Sequence, residues 1–229
     1  GSISSTVSAN TTSGFSIVKF TGTGANATIG HGLGVAPKII IQKGLDAVLN
    51  WKMYHSSLGA GAYMNFDDTA GSASSTVTWN NTAPTSSLFS VGSGNNNNSS
   101  QAYIAYCFAE KQGYSKFGSY TGNGATLGPF VYTGFSPSFV LYKDSTSVSD
   151  WVMKDNRRPG FNVTDDVLYP NLADAEGSGA DIDFLSNGFK ARTTAANTNK
   201  SNAGFIYMAF AENPFVATSG TNAIPVTAR

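Results

Sequence analysis

The stretch YIAYCFAE, residues 103–110, decides the fold. Its β-branched and aromatic residues include no glycine or proline, and an Asn/Ser run precedes it, so it predicts a β-strand. Both of its faces are apolar, which is typical of a strand covered on both sides. The related stretch FIYMAFAE, residues 205–212, recurs near the end of the chain.

The repeat extends outward from these two strands. FTGTGA at residues 20–25 matches YTGNGA at residues 120–125, an offset of 100 (120 − 20). Trp51 and Trp151 match at the same offset, whereas the apolar strands are offset by 102 (206 − 104). Agreement at glycine and tryptophan positions with so small a net insertion predicts an internal duplication.

Short strands separated by Gly, Ser, Thr and Asn turns account for nearly all of each half. FSIVKF at 15–20, KIIIQK at 38–43 and TVTW at 76–79 are predicted strands, and GNNNNSS at 94–100 is predicted to be a solvated loop. We therefore predict an all-β protein built from two tandem, internally duplicated β-sandwich units, jelly-roll or lectin-like, packed together. The sequence is compatible with two arrangements: two small sandwiches in tandem, or one larger pseudo-symmetric sandwich.

Composition sets the predicted boundaries. Residues 1–13 are rich in Ser, Thr and Asn, and we predict an N-terminal arm that folds only against a partner. Residues 14–112 are predicted to form the first β-sandwich repeat and residues 113–216 the second. Residues 217–229 are predicted to form a polar C-terminal tail.

The charge balance excludes some classes of function. Charged residues make up 12% of the 229-residue chain, about half the usual share, and the formal net charge is zero. A nucleic-acid-binding protein would carry a basic excess, so we expect no nucleic-acid partner. No apolar run approaches the roughly 18 residues of a membrane span. The single cysteine, Cys107, lies on the apolar strand and is predicted to be a buried core residue.

Three residues are candidates for ligand or receptor contact. Trp79 has no counterpart in the second half and lies beside a turn, from which an indole can stack on a sugar ring. Arg157 and Arg158 precede Pro159 and Gly160 in a loop that differs from its partner in the first half. Loops that differ between duplicates are where a specific contact is expected. The competing explanation for Trp79 is packing in the core. For Arg157 and Arg158 it is simple exposure in a loop that binds nothing.

No motif indicates a reaction centre. The two histidines, His31 and His55, lack the spacing of a metal site, and nothing resembles a nucleophile elbow. Asp181 and Asp183 would share one strand face and could form half of a calcium site or a hydrolase pair, but polar residues in water at a strand end are the commoner explanation. We expect no enzymatic activity, no catalytic or metal-ligating residues and no cofactor.

Four segments resemble a tail-fibre-like family of virion proteins from tailed bacteriophages, especially those of aquatic bacteria. The resemblance covers residues 14–215 and rests on turn and core residues of YSKFGSYTGNG (114–124), GFSP (134–137), DIDFLSNGFK (181–190) and YMAFAENPF (207–215). The resemblance implies an extracellular β-sandwich protein of the phage virion. It implies no catalytic residues.

The expected function is therefore structural. We expect a virion protein on the particle surface, in a tail fibre or receptor-binding component that contacts the host surface. The expected partners are other virion proteins, copies of the chain itself, with a trimer favoured, and a host glycan or receptor. A head-fibre or capsid decoration protein is one alternative, and a glycan-binding or glycan-cleaving domain is the other.

Overall fold

The computed structural model describes residues 1–158 and 162–214. The described chain is almost entirely β-structure and divides into two compact units. Unit 1 comprises Gly1–Asp68 and Ser72–Glu110, and unit 2 comprises Thr69–Gly71 together with the residues from Lys111 onward. The predicted tail, residues 217–229, lies outside the described residues.

Unit 1 contains a seven-stranded sheet and a two-stranded sheet. The seven strands follow the order β1-β2-β9-β4-β5-β6-β7, and β3 pairs with β8. Their bounds are β1 Ser5–Asn10, β2 Phe15–Thr21, β3 Ala27–Gly30, β4 Ile39–Gly44, β5 Lys52–His55, β6 Ala62–Asn65, β7 Ala73–Ser74, β8 Leu88–Val91 and β9 Ala102–Phe108.

Unit 2 contains two four-stranded sheets, ordered β10-β17-β12-β13 and β11-β16-β15-β14. Its strands are β10 Ser115–Thr121, β11 Phe130–Tyr132, β12 Pro137–Asp144, β13 Val152–Asp155, β14 Thr164–Val167, β15 Gly177–Leu185, β16 Gly188–Ala191 and β17 Gly204–Ala211. One helical turn, α1, spans Ala196–Asn199. No helix in the described part of the chain is long and apolar enough to cross a membrane.

Four strands of each unit share the same order and register. The order β2-β9-β4-β5 of unit 1 recurs as β10-β17-β12-β13 of unit 2, with every pair antiparallel. Phe20 lies opposite Tyr103 in unit 1, and Tyr120 lies opposite Phe205 in unit 2. These pairs are related by the sequence offsets of 100 and 102, so positions in these strands correspond residue for residue.

Each unit has its own core. In unit 1 the buried side chains of β2 and β9 pack with those of β3 and β8, so the core lies between the two sheets. In unit 2 the buried side chains of β12 and β17 pack with those of β15 and β16 in the same way. The all-β prediction is therefore confirmed, with a sandwich-like core in each unit.

The two apolar faces of β9 are not equally buried. Tyr103, Ala105 and Cys107 are fully buried, whereas the residues between them are only half-buried. On this second face Tyr106 stacks on Trp51, with ring centroids 6.2 Å apart. Aromatic neighbours on the same sheet face, rather than a second complete layer, account for the apolar composition of this face.

The prediction of an N-terminal arm that folds only against a partner is wrong. Residues Ser5–Asn10 form β1 and pair with β2 along their whole length, although most of their side chains are exposed. Ile3 joins the core and forms a parallel bridge with Ile29. A strand at a sheet edge gains main-chain hydrogen bonds from its neighbour, so it does not need an apolar face of its own.

The predicted strand at Thr76–Trp79 is a bend, and the predicted solvated loop at Gly94–Ser100 is partly buried. The Ser75 hydroxyl accepts a hydrogen bond from the Thr78 N–H at 3.1 Å, and the Asn96 amide donates to the Thr78 carbonyl at 2.8 Å. Side-chain hydrogen bonds to the main chain therefore replace the strand ladder here.

Candidate ligand groove

Trp79 does not present its ring to solvent. It is 2% exposed and packs in the unit 1 core, edge-on to Tyr54 with ring centroids 5.9 Å apart. The prediction of a surface stacking contact at Trp79 is therefore corrected, because a buried indole cannot meet a ligand without opening the core. Trp151 is 1% exposed, whereas Trp51 is only half-buried.

Arg157 and Arg158 follow β13 in unit 2 and have different environments. The side chain of Arg157 is 77% exposed, and its guanidinium contacts Glu212 at 3.2 Å. Arg158 is mostly buried and forms ion pairs with Asp155 at 2.7 Å and Glu176 at 2.6 Å. Pro159 and Gly160, which complete the predicted loop, lie outside the described residues. The structure therefore makes Arg158 a member of an ion-pair network and Arg157 an accessible cation.

A polar groove of about 350 Å³ opens beside Arg157. Strand ends of unit 2 supply much of its lining. Among the described residues, the groove is lined by Ser136, Asn156, Arg157, Asn162, Thr164, Phe184 and Glu212.

Main-chain geometry fixes the strand ends that form the groove. The Glu212 N–H donates to the Ser136 carbonyl at 2.8 Å, which joins the end of β17 to the start of β12. The Asn162 side chain imitates a strand partner: its amide donates to the Phe184 carbonyl at 2.8 Å, and its oxygen accepts from the Phe184 N–H at 2.9 Å. These pairings hold the groove walls on rigid strands.

Lys154 of β13 is hydrogen-bonded to two other strands of unit 2. Its ammonium donates to the carbonyls of Thr164 at 3.4 Å, Asp165 at 2.8 Å and Gly179 at 2.6 Å. The residue is fully buried, and that burial lowers the pKa of Lys154 to about 8. Its side chain thereby joins β13 to β14 and to the beginning of β15.

Two polar atoms around the groove have no hydrogen-bond partner among the described residues. They are the Asn156 Oδ1 acceptor and the Arg158 Nη2 donor, and both are buried. A buried polar atom without a partner costs about 1–3 kcal/mol, so natural proteins rarely keep one without a use. Asn156 also lines the groove, but its Oδ1 atom is itself buried beneath the surface.

The corresponding positions of unit 1 lack these groups. At the offset of 100, Ala36 replaces Ser136, Ser56 replaces Asn156 and Ser57 replaces Arg157. The backbone is nevertheless matched: the N–H of residue 56 donates to the carbonyl of residue 38 at 2.8 Å, and residue 156 donates to residue 138 at 3.0 Å. The backbone at this strand end therefore forms in unit 1 without an Asn-Arg pair. The need to form the fold does not explain why unit 2 has Asn156 and Arg157 at these positions.

Residues 1–214 match a protein family described as a domain of unknown function, DUF7483. The chain belongs to this family. No curated protein and no solved structure gives a significant match. The assignment to DUF7483 therefore brings no known activity, and any role for the groove is argued from its chemistry.

The residues considered for metal binding and thiol chemistry have the following surroundings in the structure. No group of three or more His, Cys, Asp or Glu side chains that could hold a metal ion occurs among residues 1–158 and 162–214. Asp183, a candidate half of a calcium site, instead pairs with Arg192 at 2.6 Å. Burial raises the pKa of Cys107 to about 12, which keeps the thiol protonated and unreactive at neutral pH.

Sequence reasoning missed two asparagines that fix the glycine turns. Asn199 is fully buried; its amide nitrogen lies 3.0 Å from the Asn123 side-chain oxygen and 2.7 Å from the Ala125 carbonyl, and its oxygen accepts from the Asn123 N–H at 2.8 Å. Asn97 is placed in the same way against Thr23 and Ala25. One feature of the sequence could have revealed the pair. Asn97 and Asn199 are 102 positions apart (199 − 97), which is also the offset between β9 and β17.

His31 is buried in unit 1 as a neutral ring with both nitrogens bonded. Nε2–H donates to the Thr85 carbonyl at 3.2 Å, and Nδ1 accepts from the Leu33 N–H at 3.3 Å. Burial lowers the pKa of His31 below its ordinary value of 6.5. A second proton, on Nδ1, would break the bond from Leu33.

We expect this histidine to make unit 1 less stable in mild acid. Because the pKa of His31 is lower in the folded state, its contribution is complete above about pH 6.5 and is lost as the pH falls through the folded pKa. The free energy of unfolding should fall by up to about 1.4 kcal/mol per pH unit in that window. Urea unfolding from pH 7.5 to 5 measures this slope. A His31→Gln variant should show a shallower slope, and equal slopes would refute the assignment.

Proposed function

We propose that this chain is a structural and adhesive module of a bacteriophage particle, part of a tail fibre or receptor-binding component. In this proposal the two units are tandem, internally duplicated β-sandwiches of jelly-roll or lectin-like type. They act as rigid frames, and surface loops and strand ends make the contact with the host. The resemblance of residues 14–215 to tail-fibre-like virion proteins supports this role.

One observation carries the adhesive part of the proposal. Four strands of unit 2 repeat the order and register of four strands of unit 1, yet unit 2 carries Ser136, Asn156 and Arg157 where unit 1 has an alanine and two serines. A frame that keeps its geometry while its rim gains specific polar groups is typical of recognition proteins. The zero net charge fits a protein that assembles with copies of itself and with other virion proteins.

Particle composition and location test this proposal. We expect peptides of this chain in purified phage particles, and we expect antibody-linked gold at the tail tip in electron micrographs. Label on the head would support the alternative of a decoration protein instead. Particles without the polypeptide would refute both virion roles. We also expect the purified chain to elute as a homo-oligomer, with light scattering reporting three times the chain mass.

A further inference from the structure

Two asparagine–glycine pairs lie in turns of unit 2, at Asn123–Gly124 and Asn187–Gly188. We propose that Asn187 is a site of spontaneous modification in the folded chain, where its side chain loses ammonia and becomes aspartate or isoaspartate. Water is the only co-reactant. The surroundings of Asn123 protect it from the same reaction. This inference concerns the chemical ageing of the protein and is independent of the virion role proposed above.

The nucleophile of this reaction is a main-chain nitrogen. The Gly188 nitrogen loses its proton and attacks Asn187 Cγ, the bond from Cγ to Nδ2 breaks, and Nδ2 leaves with a proton as ammonia. Water then adds to one of the two carbonyls of the resulting cyclic imide. Opening at Cγ gives aspartate, and opening at the main-chain carbonyl gives isoaspartate, in which the chain continues through Cβ.

Two main-chain donors favour the first step at Asn187. The N–H groups of Thr133 and Gly134 both donate to the Asn187 carbonyl, at 3.0 and 3.2 Å. This carbonyl shares a peptide group with the Gly188 nitrogen, so the negative charge left when that nitrogen loses its proton spreads onto the oxygen. Paired N–H donors aimed at an oxygen on which charge develops stabilise the anion, as in an oxyanion hole. The fold therefore makes the Gly188 N–H easier to deprotonate.

The side chain under attack is not held in place. Ser186 and Asn187 connect β15 to β16, and Leu185 lies opposite Gly188 in the last pair of this hairpin. The Asn187 side chain is exposed and makes no hydrogen bond with the described residues. No side-chain hydrogen bond therefore has to break before Cγ turns towards the nitrogen. The nitrogen itself lies at the end of the ladder, where local opening costs least.

The surroundings of Asn123 oppose the same reaction. Its Nδ2 donates to the Leu127 carbonyl at 3.0 Å. Its Oδ1 accepts from the Ala125 N–H and from Asn199 Nδ2, both at 3.0 Å. The Gly124 N–H donates to the Asn199 carbonyl at 2.8 Å. Several of these bonds must break before Asn123 Cγ can meet the Gly124 nitrogen, so the reaction at this site is slowed.

The isoaspartate product fits the donors that favour its formation. The former Asn187 carbonyl oxygen becomes part of a free carboxylate beside the N–H groups of Thr133 and Gly134. Hydrogen bonds to a carboxylate are stronger than those to a neutral carbonyl, so these donors stabilise the product. The modification also gives the neutral chain a net negative charge.

Incubation of the purified full chain tests the inference. The folded protein is kept at about pH 8 and 37 °C and digested at intervals, and mass spectrometry follows the gain of about 1 Da that accompanies exchange of ammonia for water. We expect the peptide that contains Asn187 to gain this mass at least about 10-fold faster than the peptide that contains Asn123. Equal rates at the two sites, or a faster reaction at Asn123, would overturn the proposal.

Synthetic peptides of the two turns separate the effect of the fold from that of the sequence. Relative to its own peptide, Asn187 in the folded chain should react within about 3-fold, whereas Asn123 should be slowed at least about 10-fold. An unreactive Asn187 in the folded chain, beside a reactive peptide, would refute the site.

A variant locates the modification. Asn187→Gln keeps an amide at this position but would have to form a larger ring, so its peptide should gain no mass while the Asn123 peptide behaves as before. Gly188 is left unchanged, because a Cβ there would collide with the Val131 carbonyl. Melting curves check that the variant is folded. An undiminished mass gain in the residue 187 peptide of Asn187→Gln would place the reaction elsewhere and refute the proposal.

Discussion

Replacing Trp79 with alanine is expected to lower the free energy of unfolding of unit 1 by about 3–5 kcal/mol. The indole is 2% exposed and lies in the core cluster with Tyr54 and Phe89. Deleting it removes apolar surface from burial and leaves a cavity that the surrounding sheets cannot fill. Hydrogen exchange of the β9 amides reports the change in unit 1, with protection falling by roughly two to four powers of ten.

Two further variants separate packing from any ligand role of this tryptophan. Trp79→Phe keeps most of the volume and removes an indole N–H that has no hydrogen-bond partner in the described structure, so we expect a loss of about 1.5 kcal/mol or less. Trp51→Ala, at a half-buried ring, should cost less than Trp79→Ala. A loss below about 1 kcal/mol in Trp79→Ala would contradict the core assignment.

Replacing Asn199 with alanine is expected to destabilise unit 2 by about 3–4 kcal/mol. The side chain bonds the Gly122–Gly124 turn through Asn123 and reaches the carbonyls of Ala125 and Thr193 at 2.7 and 2.9 Å. Alanine would leave the Asn123 N–H and two carbonyls without these partners. Hydrogen exchange of the β17 amides measures the change, and the β9 amides provide the internal reference.

Aspartate at the same position tests whether the amide nitrogen matters. Asn199→Asp keeps the acceptor for the Asn123 N–H but places a carboxylate oxygen against acceptors, so we expect a loss similar to that of alanine. The matched change Asn97→Ala should destabilise unit 1 instead. Near-native stability of Asn199→Asp would show that the donor bonds contribute little.

The sequence predicted the frame because strand signals are local. Alternation, β-branched residues and turn glycines indicated β2, β4 and β9 within one or two residues of their observed bounds. The offsets of 100 and 102 also anticipated the common register of the four shared strands. These features depend on neighbouring residues along the chain or on the internal repeat, and both can be read directly from the sequence.

The sequence failed where contacts between distant segments decide the outcome. Residues 76–79 have strand composition, but side-chain bonds from Ser75 and Asn96 hold them in a bend. Residues 1–13 appear too polar to fold, but β1 takes its hydrogen bonds from β2. Neither partner is identifiable from local pattern, since each effect depends on which groups the fold brings together.

By itself, the sequence determined that this protein is a nearly all-β chain with a repeated strand pattern and no net charge, because period, turn residues and composition are properties of the chain alone. The tertiary structure decided that Trp79 belongs to a core and that Arg157 lies on a groove with Asn156, Phe184 and Glu212. These groups come from separate strand ends of unit 2, up to 56 positions apart (212 − 156). Only the sheet registers bring them together, and a register is set by packing of the whole unit.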